Sequence, residues 1–448
     1  MGVQDHGGFD VVIAIDIAKL SDLVRAAVNR PATTQTFHVN GWGDLSVGGS
    51  VQLASITLAP DGSVTTTVTA TTTLSWPRYP PTGGRIFDAG SGTFSVSVSV
   101  TGRPSGSGTQ LQIDFPTDAA QVTIPSGTLE QFPAIQAYLA ALRIFGTQTV
   151  ENARRELYRG TEDSLENALN LLLPNTVRLG RLPRPPVTDV RTSASGTELR
   201  FLMTLGGSPG NPAAITRSRI QRGTPGDLAA VIVSNSCLLR DVVRPVVRAG
   251  FGLSNSGFIS SHPCLWLGSA PFGAGSTLGI TPNITSVRAG VDAAGMLQIF
   301  VSLDGTHPTG AFGFTGSFTL GAGGSVAPSG SDRRLSLTVS ASAATSLDIW
   351  VAWWVYVGGV FVSPLLTLAI ALTDAFAGGS LAGGLNSALR GALGAMTLNL
   401  PIPDGPLSLS GLSMAQSDAP LRTFTIPGPF PITVADLPMN DVIARFSA

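Results

Sequence analysis

DVVIAIDIAKLSDLVRAAV, residues 10–28, decides the fold. Val11, Ile13, Ile15 and Ile17 stand two apart, the period of a strand with one buried face. From Lys19 the period changes. Leu20, Leu23, Val24, Ala27 and Val28 fall at i, i+3, i+4, i+7 and i+8, one stripe of a helix, and Asn29, Arg30 and Pro31 end it. A strand thus runs into a helix with no turn residue between them.

The pattern recurs in AAVIVSNSCLLRDVVRPVV, residues 229–247. The two stretches align without a gap, Val11 with Ala230. Seven aligned pairs are identical, those of Val12, Ile13, Leu20, Asp22, Val24, Arg25 and Val28 in the first copy. Leu239, Val242, Val243, Val246 and Val247 form the corresponding stripe. The shared switch of period and the matched charges point to a duplication. The copies differ at Pro245, which stands where the first has Ala26 and is expected to bend or end the second helix early.

Each copy is followed by strands. Val68, Ala70, Thr72, Leu74 and Trp76 alternate with threonines and Ser75, and Phe94, Val96, Val98 and Val100 alternate with Ser95, Ser97, Ser99 and Thr101. Leu111, Ile113 and Phe115 keep the rule, as do Phe312, Phe314 and Phe318, then Leu335, Leu337 and Val339. Such runs, split by Pro- and Gly-rich turns, describe an antiparallel meander with one polar and one apolar face. Helices close each half. About three short ones are expected over 128–172, with Thr161 capping TEDSLENALNLLL (161–173) and carboxylates in its first turn. In the second half, Leu381, Leu385, Leu389 and Leu393 form an i+4 row among glycines. Residues 205–227, rich in Gly, Pro and Ser, read as a linker.

The 448 residues are too many for one ordinary core. Lys plus Arg (27) nearly cancels Asp plus Glu (28), which leaves no nucleic-acid footprint. Only 12% of residues are charged and mean hydropathy is +0.29, so apolar groups fill large cores, line a cavity or face a partner. Cys237 and Cys264 read as buried free thiols in a chain not organised around disulfides. MGVQDHGGFDVV carries no signal-peptide pattern, so a cytoplasmic location is expected, with export by a route that leaves no signal still open. Between Asp348 and Asp374 lies an uncharged run long enough to span a bilayer. Its tryptophans cluster at one end, Gly358-Gly359 interrupts it, and Ser363-Pro364 starts a helix. The run therefore reads as a buried strand to about residue 357 and a new helix from Pro364.

Catalytic constellations are absent from the pattern. His6, His38, His262 and His307 make no recognised metal spacing. The one G-x-S-x-G, Gly206-Gly207-Ser208-Pro209-Gly210, places proline where a nucleophile elbow needs a backbone N–H donor.

A strand feeding a helix, then a curved meander and closing helices, present twice, resembles the TULIP (tubular lipid-binding) superfamily. FDVVIAIDIAKLSDLV (9–24) resembles the opening of the clostridial forty-seven-kilodalton accessory proteins of orfX-type neurotoxin clusters. IWVAWWVYVGG (349–359) before SPLLTLAIAL (363–372) and the tail TFTIPGPFPI (423–432) agree with it. The resemblance implies an α+β fold of two TULIP-like units, each a long helix wrapped by a highly curved antiparallel β-sheet. Residues 1–205 would form the first unit, 206–226 the linker and 227–448 the second. It further implies a lipid or other hydrophobic molecule held between helix and sheet by Leu20, Leu23, Val24, Val28, Leu239, Val242, Val243 and Val246. The alternative is a non-enzymatic accessory or assembly protein with filled cores that binds a protein partner such as a toxin component. Neither reading calls for a cofactor or metal. The expected partners are a lipid or hydrophobic small molecule, a protein and a peripheral membrane contact, with no nucleic acid.

Overall fold

The switch from strand to helix is made by a side chain. Strand β1 (Val11–Asp16) ends at Asp16, and α1 (Ile17–Val28) begins at the next residue. Asp16 Oδ1 accepts the backbone N–H of Ala18 at 2.8 Å. A capping residue keeps extended backbone while satisfying a free helical donor, so no turn residue is needed. In this computed structural model the described residues are 6–28, 30–80, 86–107, 110–118, 120–181, 187–205, 210–215, 218, 220, 226–260, 262–272, 282–291, 297–306, 308, 312–329, 332–338, 344–351, 397–399, 408–415, 423–426, 432–435 and 441–447. Contacts divide the chain into two units. Unit 1 comprises Met1–Ile13, Leu202–Ile402 and Pro406–Ala448; unit 2 comprises Ala14–Phe201 and Pro403–Gly405.

Unit 2 is built on a six-stranded antiparallel meander. Its strands are β2 (Arg30–Val39), β3 (Gly43–Leu58), β4 (Val64–Trp76), β5 (Gly90–Ser107), β6 (Gln110–Asp114) and, after the helices α2 (Pro133–Leu142) and α3 (Thr147–Leu172), β7 (Thr176–Arg181). Strand order follows chain order. Helix α1 touches both β3 and β7. In a flat sheet those strands would stand roughly 19 Å apart, at about 4.8 Å per strand. A helix about 10 Å across reaches both only if the sheet curls around it. The alternation expected for β4 and β5 is observed: Val68, Ala70, Thr72, Leu74, Phe94, Val96, Val98 and Val100 are buried. The opposite face carries hydroxyls in register, from Thr65–Thr101 through Thr67–Ser99, Thr69–Ser97, Thr71–Ser95 and Thr73–Thr93 to Ser75–Ser91. This uncharged polar face accounts for part of the low charge content. Two short strands, β8 (Asp189–Thr192) and β9 (Glu198–Met203), follow β7 in the chain.

Helix α3 corrects the expectation of short helices. It runs unbroken for 26 residues, and Thr161 is an interior residue, fully buried, whose hydroxyl donates to Leu157 O at 2.7 Å. Gly160 is a contact point inside the helix. A Cβ there would lie 2.3 Å from Phe37 Cδ2, so only glycine lets the helix meet β2. Glu162, expected in the first turn of a helix starting at Thr161, does other work, and two residues further along the same face share it. Glu162, Glu166 and Asn170 accept the backbone N–H groups of Ile124, Val122 and Ala120 at 2.8, 2.8 and 3.0 Å. One helical i,i+4 step rises about 6 Å, close to the roughly 6.6 Å of two extended residues. The helix therefore offers a row of acceptors in step with alternate N–H groups of residues 120–124.

Unit 1 contains the start of β1, β10 (Asp227–Val233) and a second helix, α4, over residues 235–251. Its strands continue as β11 (Leu265–Pro271), β12 (Asn283–Val291), β13 (Leu297–Thr306), β14 (Phe312–Ser329), β15 (Asp332–Thr338), β16 (Ala344–Val351) and β17 (Thr397–Asn399). The order β11-β12-β13-β14-β15-β17 forms one sheet, with β16 also paired to β14. Then come β18 (Ser408–Ala415), the hairpin of β19 (Thr423–Ile426) and β20 (Ile432–Ala435), and β21 (Asp441–Ser447), which pairs with both β18 and β10. Phe9, Val12, Leu202, Ile215, Ile232 and Ile443 make a buried cluster. The Trp-rich run is a strand through Val351; residues 352–396, with the Pro364 helix and the Leu381–Leu393 row, lie outside the described residues. Among the described residues no helix is long and apolar enough to cross a membrane.

Replacing Glu166 by alanine leaves the Val122 N–H without its acceptor. The expected loss is about 1–3 kcal/mol of stability, measured by chemical denaturation. Glu166→Gln, which keeps an acceptor, is expected to lose less; equal losses for the two variants would show that the ladder contributes nothing.

Candidate functional site

The site expected from sequence is the contact between each first helix and its surroundings. In α1, Leu20 and Val24 are 0% exposed and Val28 is 1% exposed, while Leu23 and Ala27 are half-buried. In α4 the equivalent Leu239, Val243 and Val247 are each 0% exposed and Val246 is half-buried. The Val242 side chain lies outside the described residues. The duplicated positions are therefore buried in register, Leu20 as Leu239, Val24 as Val243, Val28 as Val247. The duplicated charges are not equivalent. Arg25 pairs with Asp22 at 3.0 Å in the first copy, whereas Arg244 lies over the Phe258 ring at 4.3 Å and Asp241 pairs with Arg240 at 2.7 Å.

Pro245 does not shorten the second helix, which continues to Phe251 and ends at left-handed Gly252 (φ 64°). Ser234 caps its start, its hydroxyl accepting the Cys237 N–H at 3.2 Å. Residues Leu238–Val243 form a π-helical segment just before the proline. A proline inside an α-helix clashes with the carbonyl four residues back and removes a donor. Widening the preceding turns relieves both, which is why the helix survives.

A second, polar feature was not legible from motifs. Asp10 is buried; its Oδ2 accepts the Leu205 N–H at 2.6 Å and its Oδ1 the Arg240 Nη2–H at 3.3 Å. Nearby, Asp441 Oδ1 accepts the Asn235 N–H at 3.0 Å, and Asp441 Oδ2 lies 3.5 Å from His6 Nε2. Four segments distant in sequence are thereby fastened together. The hydrogen bond to Asp241 holds the Arg240 guanidinium firmly protonated. Cys237 Sγ lies 3.7 Å from Asp241 Oδ2, and burial, aided by Asp10 and Asp241, pushes its thiol up to about 12. Nothing in this arrangement generates a nucleophile. Among the described residues no group of three or more His, Cys, Asp or Glu is placed to hold a metal ion. His38 faces Asp44 at 2.7 Å on the exposed surface, His262 accepts the Cys264 N–H at 3.1 Å, and His307 and Gly206–Pro209 lie outside the described residues.

Both cysteines are free and buried, and burial pushes the Cys264 thiol to about 12 as well. The reactive form is the thiolate, so at pH 8 both thiols should resist iodoacetamide in the folded chain and react after denaturation. Because folding raises these pKa values from their ordinary 9, stability is intact below pH 9 and falls as pH rises from about 9 towards 12. Alkylation of the native chain at the denatured rate would contradict this burial.

No protein-family model and no curated protein matches the chain. Among solved structures it is similar to P47 from Clostridium botulinum A2, with a TM-score of 0.44, 9% identity and coverage of 99% of this chain and 98% of that one. P47 of Clostridium botulinum E1 is similar at a TM-score of 0.46 and 9% identity, covering 98% and 99%. A lipopolysaccharide binding protein is similar at 0.34 and 13%, covering 96% and 99%. These neighbours, a TULIP-type fold among them, are of the kind the sequence resembles. At TM-scores below 0.5 they carry no ligand, partner or role over to this chain.

Proposed function

We propose that this chain is a non-enzymatic binding protein whose interiors are occupied by its own side chains and whose outer surface meets its partner. The observation that carries this reading is the full burial of the central residues of both helix stripes. A side chain lining a tube open to an acyl chain keeps surface that a water-sized sphere can touch. Leu20, Val24, Leu239 and Val243 keep none. Each buried aliphatic side chain favours the closed state by about 1.5–3 kcal/mol. Leu20, Val24 and Val28 already pack against the residues around α1, so cargo could enter there only by displacing them.

A second reading, a lipid or other hydrophobic molecule held between helix and sheet, draws support from one observation. The hydroxyls of Thr66 and Thr72, buried on the inner face of β4, have no hydrogen-bond partner among the described residues. A polar group of a bound amphiphile would satisfy them, since a buried unpaired hydroxyl costs about 1–3 kcal/mol. Two unpaired hydroxyls weigh less here than the full burial of the α1 stripe, so we put the filled reading first.

Native mass spectrometry of the purified chain, with solvent extraction, separates the two. The filled reading expects the mass of the polypeptide alone and no stoichiometric acyl chains. A lipid that survives purification at one or more per chain would overturn it and restore the cargo reading. Val24→Asp adds an independent check. An unpaired carboxylate in a packed core costs several kcal/mol, so this variant should unfold. A folded variant with the wild-type melting temperature would mean that the stripe borders open space.

A further inference from the structure

Among the described residues, the turn between α2 and α3 exposes two large apolar side chains next to each other. Helices α2 and α3 meet in a single tight turn, a 3₁₀ segment Arg143–Phe145 followed by Gly146 at φ 104°. Residues 143–148 are all exposed. Ile144 is 82% and Phe145 69% exposed, two adjacent members of the few exposed large hydrophobic side chains among the described residues. The turn packs against the two helices it joins, and the polar side chains of Thr147 and Gln148 follow directly.

In sequence, residues 131–150 carry a single charge, that of Arg143. Arg143 adjoins the two apolar residues, and no Asp or Glu lies between Glu130 and Glu151. The tip is also the N-terminus of the 26-residue α3, where no side chain caps the helix and no acidic residue occupies the first turn. The N–H groups of Thr147, Gln148 and Thr149 therefore point outward without helical partners, at the positive end of the helix dipole.

We propose that this turn docks the protein on anionic phospholipid bilayers. Ile144 and Phe145 enter the acyl boundary, while Arg143 and the open end of α3 meet lipid phosphates. A membrane suits the geometry better than a protein does. A stable protein interface needs about 800 Å² per partner, and two side chains on a convex turn offer a small fraction of that. A bilayer accepts a small wedge, and Arg143 with the uncapped start of α3 complements its negative surface. Two side chains of this size favour transfer by roughly a hundredfold or more, which makes the docking reversible. The proposal rests on the filled-interior reading, in that lipid is met as a surface outside the fold.

Flotation of the full chain with phosphatidylcholine vesicles carrying about 30% phosphatidylglycerol tests it. The wild type should float with these vesicles and less with pure phosphatidylcholine. Ile144→Ser/Phe145→Ser should lose binding at least about tenfold with an unchanged melting curve, since both side chains are already exposed. Arg143→Glu should weaken binding to the anionic vesicles only. Phe145→Trp should keep binding and shift its fluorescence to the blue when vesicles are added. Failure of the wild type to float, or equal flotation of the double variant, would overturn the proposal. The two readings fail separately. Lipid recovered by extraction overturns the filled interior whatever the vesicles do, and a lipid-free chain that ignores vesicles overturns the docking alone.

Discussion

A one-sided antiparallel sheet must cover its apolar face, and the structure of unit 2 follows from how that is done. The meander from β2 to β7 curls until its second and sixth strands both touch α1. Curling brings the inner parities of β4 and β5 to face inward, and Leu20, Val24 and Val28 are packed within. The outer parities are left to water. Threonine and serine fill them, since these residues suit a pleated strand and need no charge to be solvated. The unusual composition of the chain is in this respect a property of its sheets.

The capped junction between β1 and α1 is what delivers the helix to that place. Asp16 in one copy and Ser234 in the other let a buried strand turn into a buried helix within one residue. Where the copies diverge, the burial pattern holds while the polar partners change. Arg25 and Arg244 are the same residue at the same place, yet one makes an exposed ion pair and the other stacks on a ring. Packing at Leu20/Leu239, Val24/Val243 and Val28/Val247 is the shared constraint, and the charges adapt to local neighbours.

The periodic parts of this arrangement could be read directly. The strand-to-helix change, the inner residues of β4 and β5, and the buried stripe are all visible as periods of 2 and 3.6. What stayed hidden depended on residues far apart. Gly160 shows its role only once Phe37 is seen against it, and Glu162 reads as part of a helix start until its partner at 124 is known. Pro245 carries a correct local penalty that the π-helical turns ahead of it remove. The aspartates at 10 and 441 bear no motif, and their role comes from the segments they hold together. The exposed Ile144–Phe145 pair had a weaker signal, two apolar residues against a glycine, that became meaningful only with the turn in view.

The pairing of β10 with β21 has a consequence for biosynthesis. Asp227–Val233 is hydrogen-bonded to Asp441–Ser447, so a place in the sheet beside β10 stays empty until more than two hundred further residues have been translated. Closing so long a loop is slow relative to local pairing. During that interval the nascent chain holds an apolar strand with one unpaired edge, the condition that invites misassembly and chaperone capture. Unit 2, whose meander pairs neighbours in chain order, has no comparable wait.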